Sequence, residues 1–151
     1  MRGFRFRLEQ LLGLRAAAEE ETARKLADAR RAVDEAQSSV DRIVGSEAEL
    51  REQVGRAMWA AGTVGAVQNL DVVREQLARQ RLAAEAELSR AEGELTEALE
   101  NHRRAHQERE ILDRLRTRRS AEWRVENGRR EQAVLDESGR GRGAAAGDWS
   151  S

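Results

Sequence analysis

The sequence has no cysteine, no proline and no tyrosine, and aromatic residues fill only 3% of its 151 positions. Without cysteine there are no disulfides and no thiolate chemistry, which fits a reducing compartment. Without proline, the residue that breaks helices most strongly is missing. The scarcity of aromatics excludes a large layered core, so whatever is buried must be a narrow seam of Leu, Val, Ile and Ala. Lysine is nearly absent as well: Lys25 is the only one, and arginine supplies the rest of the 27 basic residues. No apolar run approaches the ~20 residues a membrane span needs. The net charge of −1 gives no bulk electrostatic pull on nucleic acid or an anionic membrane.

What the chain does have is charge, at 36% of residues, arranged with helical periodicity. This composition suits a long helix or coiled coil, and the length fits one domain. The opening "MRGFRFRLEQLLGLR" is basic and amphipathic, like a transit peptide. It lacks the serines of one, however, and reads as the first turns of a helix spanning about residues 4–59.

Between 26 and 57 the seam residues recur at alternating steps of three and four: Leu26, Ala29, Val33, Ala36, Val40, Ile43, Glu47, Leu50, Val54 and Ala57. This is a heptad pattern with a and d filled. Upstream the stripe runs through Leu8, Leu11 or Leu12, Arg15, Ala18 and Thr22, with a stutter before Leu26. A second stripe comprises Leu70, Val73, Leu77, Gln80, Ala84, Leu88, Ala91, Leu95, Ala98, His102, Ala105, Leu112 and Leu115, with a four-four step at 80-84-88.

In an antiparallel hairpin, facing residues have a constant sum of residue numbers. Ala57 with Leu70, Val54 with Val73, Leu50 with Leu77, Glu47 with Gln80 and Ala36 with Ala91 all give 127, as does Leu12 with Leu115. That register puts the reversal between Thr63 and Val64, bracketed by Gly62 and Gly65. The expected fold is therefore all-α: an antiparallel two-helix coiled-coil hairpin over residues 1–138. It has a tip at about 60–68, a returning helix at about 69–137 capped by Asn69, and a disordered C-terminal tail over 139–151. At ~1.5 Å per residue, arms of ~50 residues reach some 75 Å. Gly45 and Gly55 each weaken the outgoing arm by about 1 kcal/mol relative to alanine.

The tip segment "MWAAGTVGAVQNL", residues 58–70, carries no formal charge. It reads either as a plain turn with a stray Trp59 or as a docking surface made of Met58, Trp59, Val64 and Val67. Leu82, Leu99 and Val72 fall off the seam, as single exposed apolar residues commonly do.

His102 and His106 share a helical face at zinc-holding spacing, but Glu110 is the only third ligand nearby, and His102 falls in the seam opposite Leu26. No metal or cofactor is expected. The carboxylates of Glu19, Glu20, Glu21, Glu85 and Glu87 read as solvated faces, because a two-helix arrangement offers no pocket to shift their pKa. No nucleophile, base and orienting group come together and there is no glycine-rich phosphate loop, so the chain reads as a non-enzyme. The run Arg109, Arg114, Arg116, Arg118 and Arg119 lies beside Arg2, Arg5, Arg7 and Arg15 in the hairpin. It lacks the interleaved aromatics of single-strand nucleic-acid binders. An acidic protein cavity is the alternative partner. An RNA-binding hairpin and a structural coiled-coil scaffold remain rival readings.

The segment "FRFRLEQLLGLR" (4–15), followed by Glu20, Ala23, Leu26 and Ala29, resembles the opening of the flagellar export protein FliJ family. "EREILDRLRTRR" (108–119), Glu122 and "EQAVLDE" (131–137) are similar to that family's closing segment, although Ala133 stands where a basic residue is more usual. The resemblance spans nearly the whole chain apart from the tail. It implies a cytoplasmic component of the flagellar type III export apparatus, peripheral to the membrane and not inserted, with a coiled coil like the shaft of a rotary ATPase. It implies that the terminal end engages the hexameric export ATPase, that the tip region contacts the cytoplasmic domain of the membrane export gate, and that export substrates or their chaperones are escorted. On this basis Arg5, Arg7, Leu8, Leu12, Arg116 and Arg119 are expected at the ATPase end. Ile43, Ser46, Leu50, Val73, Leu77 and Gln80 are expected at the gate end. The four apolar residues of the second group are also seam positions, so partner binding competes there with packing.

Overall fold

The computed structural model describes residues 3–60 and 64–146. The fold is all-α: helix α1 spans Glu9–Trp59 and helix α2 spans Val64–Ala146, and the two pack against each other, with no strand among the described residues. The chain divides into a central unit, Ala18–Ala105, and a terminal unit, Met1–Ala17 with His106–Ser151.

In the central unit every expected α1 position from Leu26 to Ala57 is buried or half-buried. Leu26, Ala36, Val40 and Leu50 form its core with Ala91 and Ala105 of α2. The segments run antiparallel: Thr22 meets His102, whereas the later Glu47 meets the earlier Arg81. No side chain in the described residues is fully enclosed, because a two-helix seam leaves both flanks open to water. Apolar burial therefore comes from single-file layers, several of them alanine, which contribute little per residue.

The seam differs from its sequence-derived form at two places. Gln80 is exposed and Arg81 takes its position, half-buried; Ala18 is exposed and Glu19 is half-buried. With these replacements the three-four alternation runs unbroken from Glu19 to Ala57 on α1 and from Leu77 to Ala105 on α2, and neither inferred stutter exists in these stretches. The physical reason is that long charged side chains lay their apolar stems along a seam while keeping the charged head in water.

Near the reversal, α1 ends at Trp59, and the Ala60 amide still bonds the Arg56 carbonyl at 3.0 Å. The returning helix begins at Val64 instead of about 69, so Asn69 is an interior residue and not its cap. Gly65 lies in the first turn and has no left-handed φ. With no proline or competing cap between 64 and 69, the cost of one helical glycine, about 1 kcal/mol, is too small to delay the helix. Gly62 and Thr63 lie outside the described residues.

In the terminal unit the chain before Glu9 is not helical, although a helix from about residue 4 is expected from sequence. Residues 3–8 form a strap in which Phe4, Phe6 and Leu8 are half-buried and Gly3, Arg5 and Arg7 are exposed. The burial alternates with a period of two, and "FRFRL" is the sequence signal for it; Arg7 and Leu8 form the turn that leads into α1. The strap passes into α1 through the Glu9 amide bonding the Phe6 carbonyl (3.1 Å) and the Leu12 amide bonding the Leu8 carbonyl (2.9 Å). Leu12 and Leu112 are buried, and Phe4 stands against Trp123 with ring centroids 6.2 Å apart. α2 continues through Ala146, past the boundary near 137 expected from sequence; residues 147–151, including Trp149, lie outside the described residues. From Gly128 to Gly143 every residue is exposed. Along this stretch the helix is supported by pairs one turn apart, such as Arg130–Glu126 and Gln132–Asp136.

Candidate partner-binding surfaces

The six residues expected at the terminal end do not act alike. Leu12 is 8% exposed and belongs to the core. Arg116 is held by Glu9 of α1 at 3.2 Å, and Arg119 by Glu122 at 3.2 Å. Arg5 and Arg7 point outward from the strap with no carboxylate at ion-pair distance among the described residues. An open hollow of about 540 Å³ brings Arg5, Arg7, Leu8 and Arg119 together, with Phe4 and Phe6 among its walls. A smaller one, about 330 Å³, joins Arg5 to Arg116. Packing of Phe4, Phe6 and Leu8 fixes the strap, and period-two alternation then sends both arginines outward. The result is a cationic edge on an aromatic base. Phe4, Phe6 and Trp123 are not among the sequence-derived site residues, although the alternation in "FRFRL" marks the first two.

The six residues expected near the tip lie in the central unit but do not line one site. Ile43, Ser46, Leu77 and Gln80 line one open hollow of about 530 Å³. Leu50 is 6% exposed and lines a different groove, with Val54, Ala78 and Leu82. Helical spacing places the two depressions on the two flanks of the α1–α2 seam. Val73 lines neither and is 43% exposed, so the seam is already opening there. Met58, Trp59 and Val64 are strongly exposed, Trp59 at 92%, and Val67 is half-buried.

Across the central seam Arg81 joins both helices. Its Nη1 donates to Glu47 Oε2 at 3.0 Å and its Nε to Glu85 Oε1 at 2.9 Å. The hydrogen bond to Glu85, and then that to Glu47, raises the pKa of the guanidinium above its ordinary value. On the solvent faces, hydrogen bonds from Arg90 and Arg103 lower the carboxyl pKa values of Glu87 and Glu100 respectively.

Thr22 fixes His102. The Thr22 hydroxyl donates to the Glu19 carbonyl at 2.8 Å and lies 3.2 Å from His102 Nδ1, a hydrogen bond across the seam. His106 faces Glu110 at 3.7 Å. Among the described residues no three His, Cys, Asp or Glu side chains are grouped to hold a metal, and no helix is long and apolar enough to cross a membrane.

A family model described as Flagellar FliJ protein matches residues 4–144. The chain belongs to the FliJ family. No curated protein and no solved structure matches it. As a FliJ-family member it is a component of the flagellar export apparatus, a non-catalytic one in that family. The FliJ match begins at Phe4, within the strap, and takes in both groups of candidate surface residues.

Proposed function

We propose that this chain couples the hexameric flagellar export ATPase to the cytoplasmic domain of the membrane export gate, without catalysing a reaction itself, and escorts export substrates or their chaperones. It works in the cytoplasm, peripheral to the membrane at the flagellar basal body. The observation that carries this reading is the FliJ match over residues 4–144, which includes a strap whose outward arginines have no carboxylate at ion-pair distance among the described residues. Arg5, Arg7 and Arg119, with Leu8 at the base of their hollow, make the ATPase-binding edge, and Arg116 flanks it. Their fixed positive charge favours a ring lined with carboxylates, and complementary charge mainly speeds encounter and selects the partner. Ile43, Ser46, Leu77 and Gln80 make the gate-binding face, bordered by Val73.

The test is a pull-down of the export ATPase with the full chain, reading both hexamer assembly and ATP turnover. The native chain is expected to bind and to raise turnover. Arg5→Glu with Arg7→Glu should abolish that effect, whereas Ser46→Arg with Gln80→Arg should leave it intact and instead remove binding to the gate domain. Retained ATPase binding by the strap variant, or retained gate binding by the Ser46/Gln80 variant with unchanged helicity, sinks the corresponding half of the proposal.

A further inference from the structure

Of the two depressions flanking the central seam, the one containing Leu50 is larger, at about 740 Å³, and is not used by the function proposed above. Its floor is apolar: Leu50 and Val54 come from α1, and Ala78 and Leu82 from α2. Leu82 is 69% exposed although nothing in the heptad pattern demands a leucine there. The charge around this floor is unbalanced. Glu47 and Glu85 both line the groove, but both are already bound by Arg81. Arg51 of α1 also lines it and has no carboxylate at ion-pair distance among the described residues. Arg74 of α2 reaches only Asp71, one turn back on its own helix, at 3.9 Å. Among the groove's lining residues three arginines (Arg51, Arg74 and Arg81) meet two glutamates (Glu47 and Glu85), an excess of one positive charge, and Arg51 and Arg74, one from each helix, are held by neither glutamate.

A groove between two packed helices has the shape that a third helix fills, ridges into grooves, and an occupant with an apolar stripe would cover Leu82 and the open side of Val54. Charge complementarity specifies what lies beside that stripe. We infer that this groove binds an amphipathic α-helix of a partner protein, with glutamate or aspartate flanking its apolar stripe, laid along the seam so that its carboxylates meet Arg51 and Arg74. The ligand class is set by the groove's own chemistry: apolar floor, cationic lips and helical spacing. It does not depend on the ATPase or the gate.

The experiment uses the full chain and two fluorescein-labelled synthetic peptides, each a three-heptad helix with leucine at a and d. One carries glutamate at e and g, the other lysine. Binding is read by fluorescence anisotropy at low salt, where surface charge is least screened. The glutamate peptide is expected to bind the native chain and the lysine peptide at least tenfold more weakly. Arg51→Glu with Arg74→Glu should reverse that preference, and Leu82→Glu should abolish binding of the glutamate peptide with circular dichroism unchanged. Ser46→Arg with Gln80→Arg, on the other flank, should leave it intact. Equal binding of the two peptides, no binding of the glutamate peptide, or a preference unaltered by the arginine reversal overturns the inference. So does a native chain that sediments as a dimer and becomes monomeric on Leu82→Glu, because a second copy would then be the occupant.

Discussion

The rings of Phe4 and Trp123 lie 6.2 Å apart at 55° to one another, joining the N-terminal strap to a position on α2 more than a hundred residues later in the chain. Tilted aromatic pairs of this kind contribute about 0.5–1.5 kcal/mol beyond simple burial. The contact gives a local reporter. With Trp59 and Trp149 replaced by phenylalanine, emission comes from Trp123 alone. Phe4→Ala should then shift that emission to the red and lower stability by about 1–2 kcal/mol. An unshifted spectrum would mean that the strap does not rest on Trp123 in solution.

The hairpin was legible because its evidence is redundant. Ten successive seam positions from Leu26 to Ala57 all turn inward. What escaped was local. The sequence-derived stripe takes Gln80 and Ala18 where Arg81 and Glu19 turn inward, one position away in each case, and so contains stutters that the structure lacks. The charged residues enter because only their stems need be buried. The strap was hidden for a different reason: "FRFRL" has a period of two, but it is only five residues long and adjoins a strong helical stripe. The separation of Leu50 from Ile43, Ser46, Leu77 and Gln80 was not readable from heptad spacing, which fixes what faces the seam but not which flank a half-buried residue opens onto.

Gly45 and Gly55 sit inside α1 with nothing within 4 Å of where a Cβ would lie. No close approach explains either glycine. Gly45→Ala and Gly55→Ala should therefore each stabilise the chain by about 0.5–1 kcal/mol, chiefly by removing backbone freedom from the unfolded state. Thermal melts followed by circular dichroism check this. A lowered Tm in either variant would show that α1 needs local flexibility to pack.

Leu50 and Leu82 line the same groove but differ tenfold or more in exposure, at 6% and 69%. Leu50→Ala should cost about 2–3 kcal/mol, toward the low end for a core leucine because water can enter from the flank. Leu82→Ala should change stability by less than about 0.5 kcal/mol, as for an ordinary surface position. Urea titrations separate the two. Similar losses for both would mean that Leu82 is covered in the isolated chain.

Glu87 and Glu100 give the fold a defined acid response. A hydrogen bond from Arg90 lowers the carboxyl pKa of Glu87, and one from Arg103 does the same for Glu100. A carboxylate whose pKa is lower in the folded than in the unfolded chain stabilises the fold above its unfolded value, about 4.3 for glutamate. That contribution fades as pH falls through the folded value, because both states are then protonated alike. Helix stability from these pairs should be flat between neutral pH and about pH 5 and should decline on further acidification. Both pairs are solvent-exposed, so the decline should be shallower at high salt. Glu87→Gln with Glu100→Gln removes the titration and should leave a melting temperature that is lower at neutral pH and less dependent on acid. The measurement is Tm by circular dichroism across that range for the native chain and the double variant. Curves that run parallel down to the lowest pH would show that these two ion pairs contribute nothing to folding.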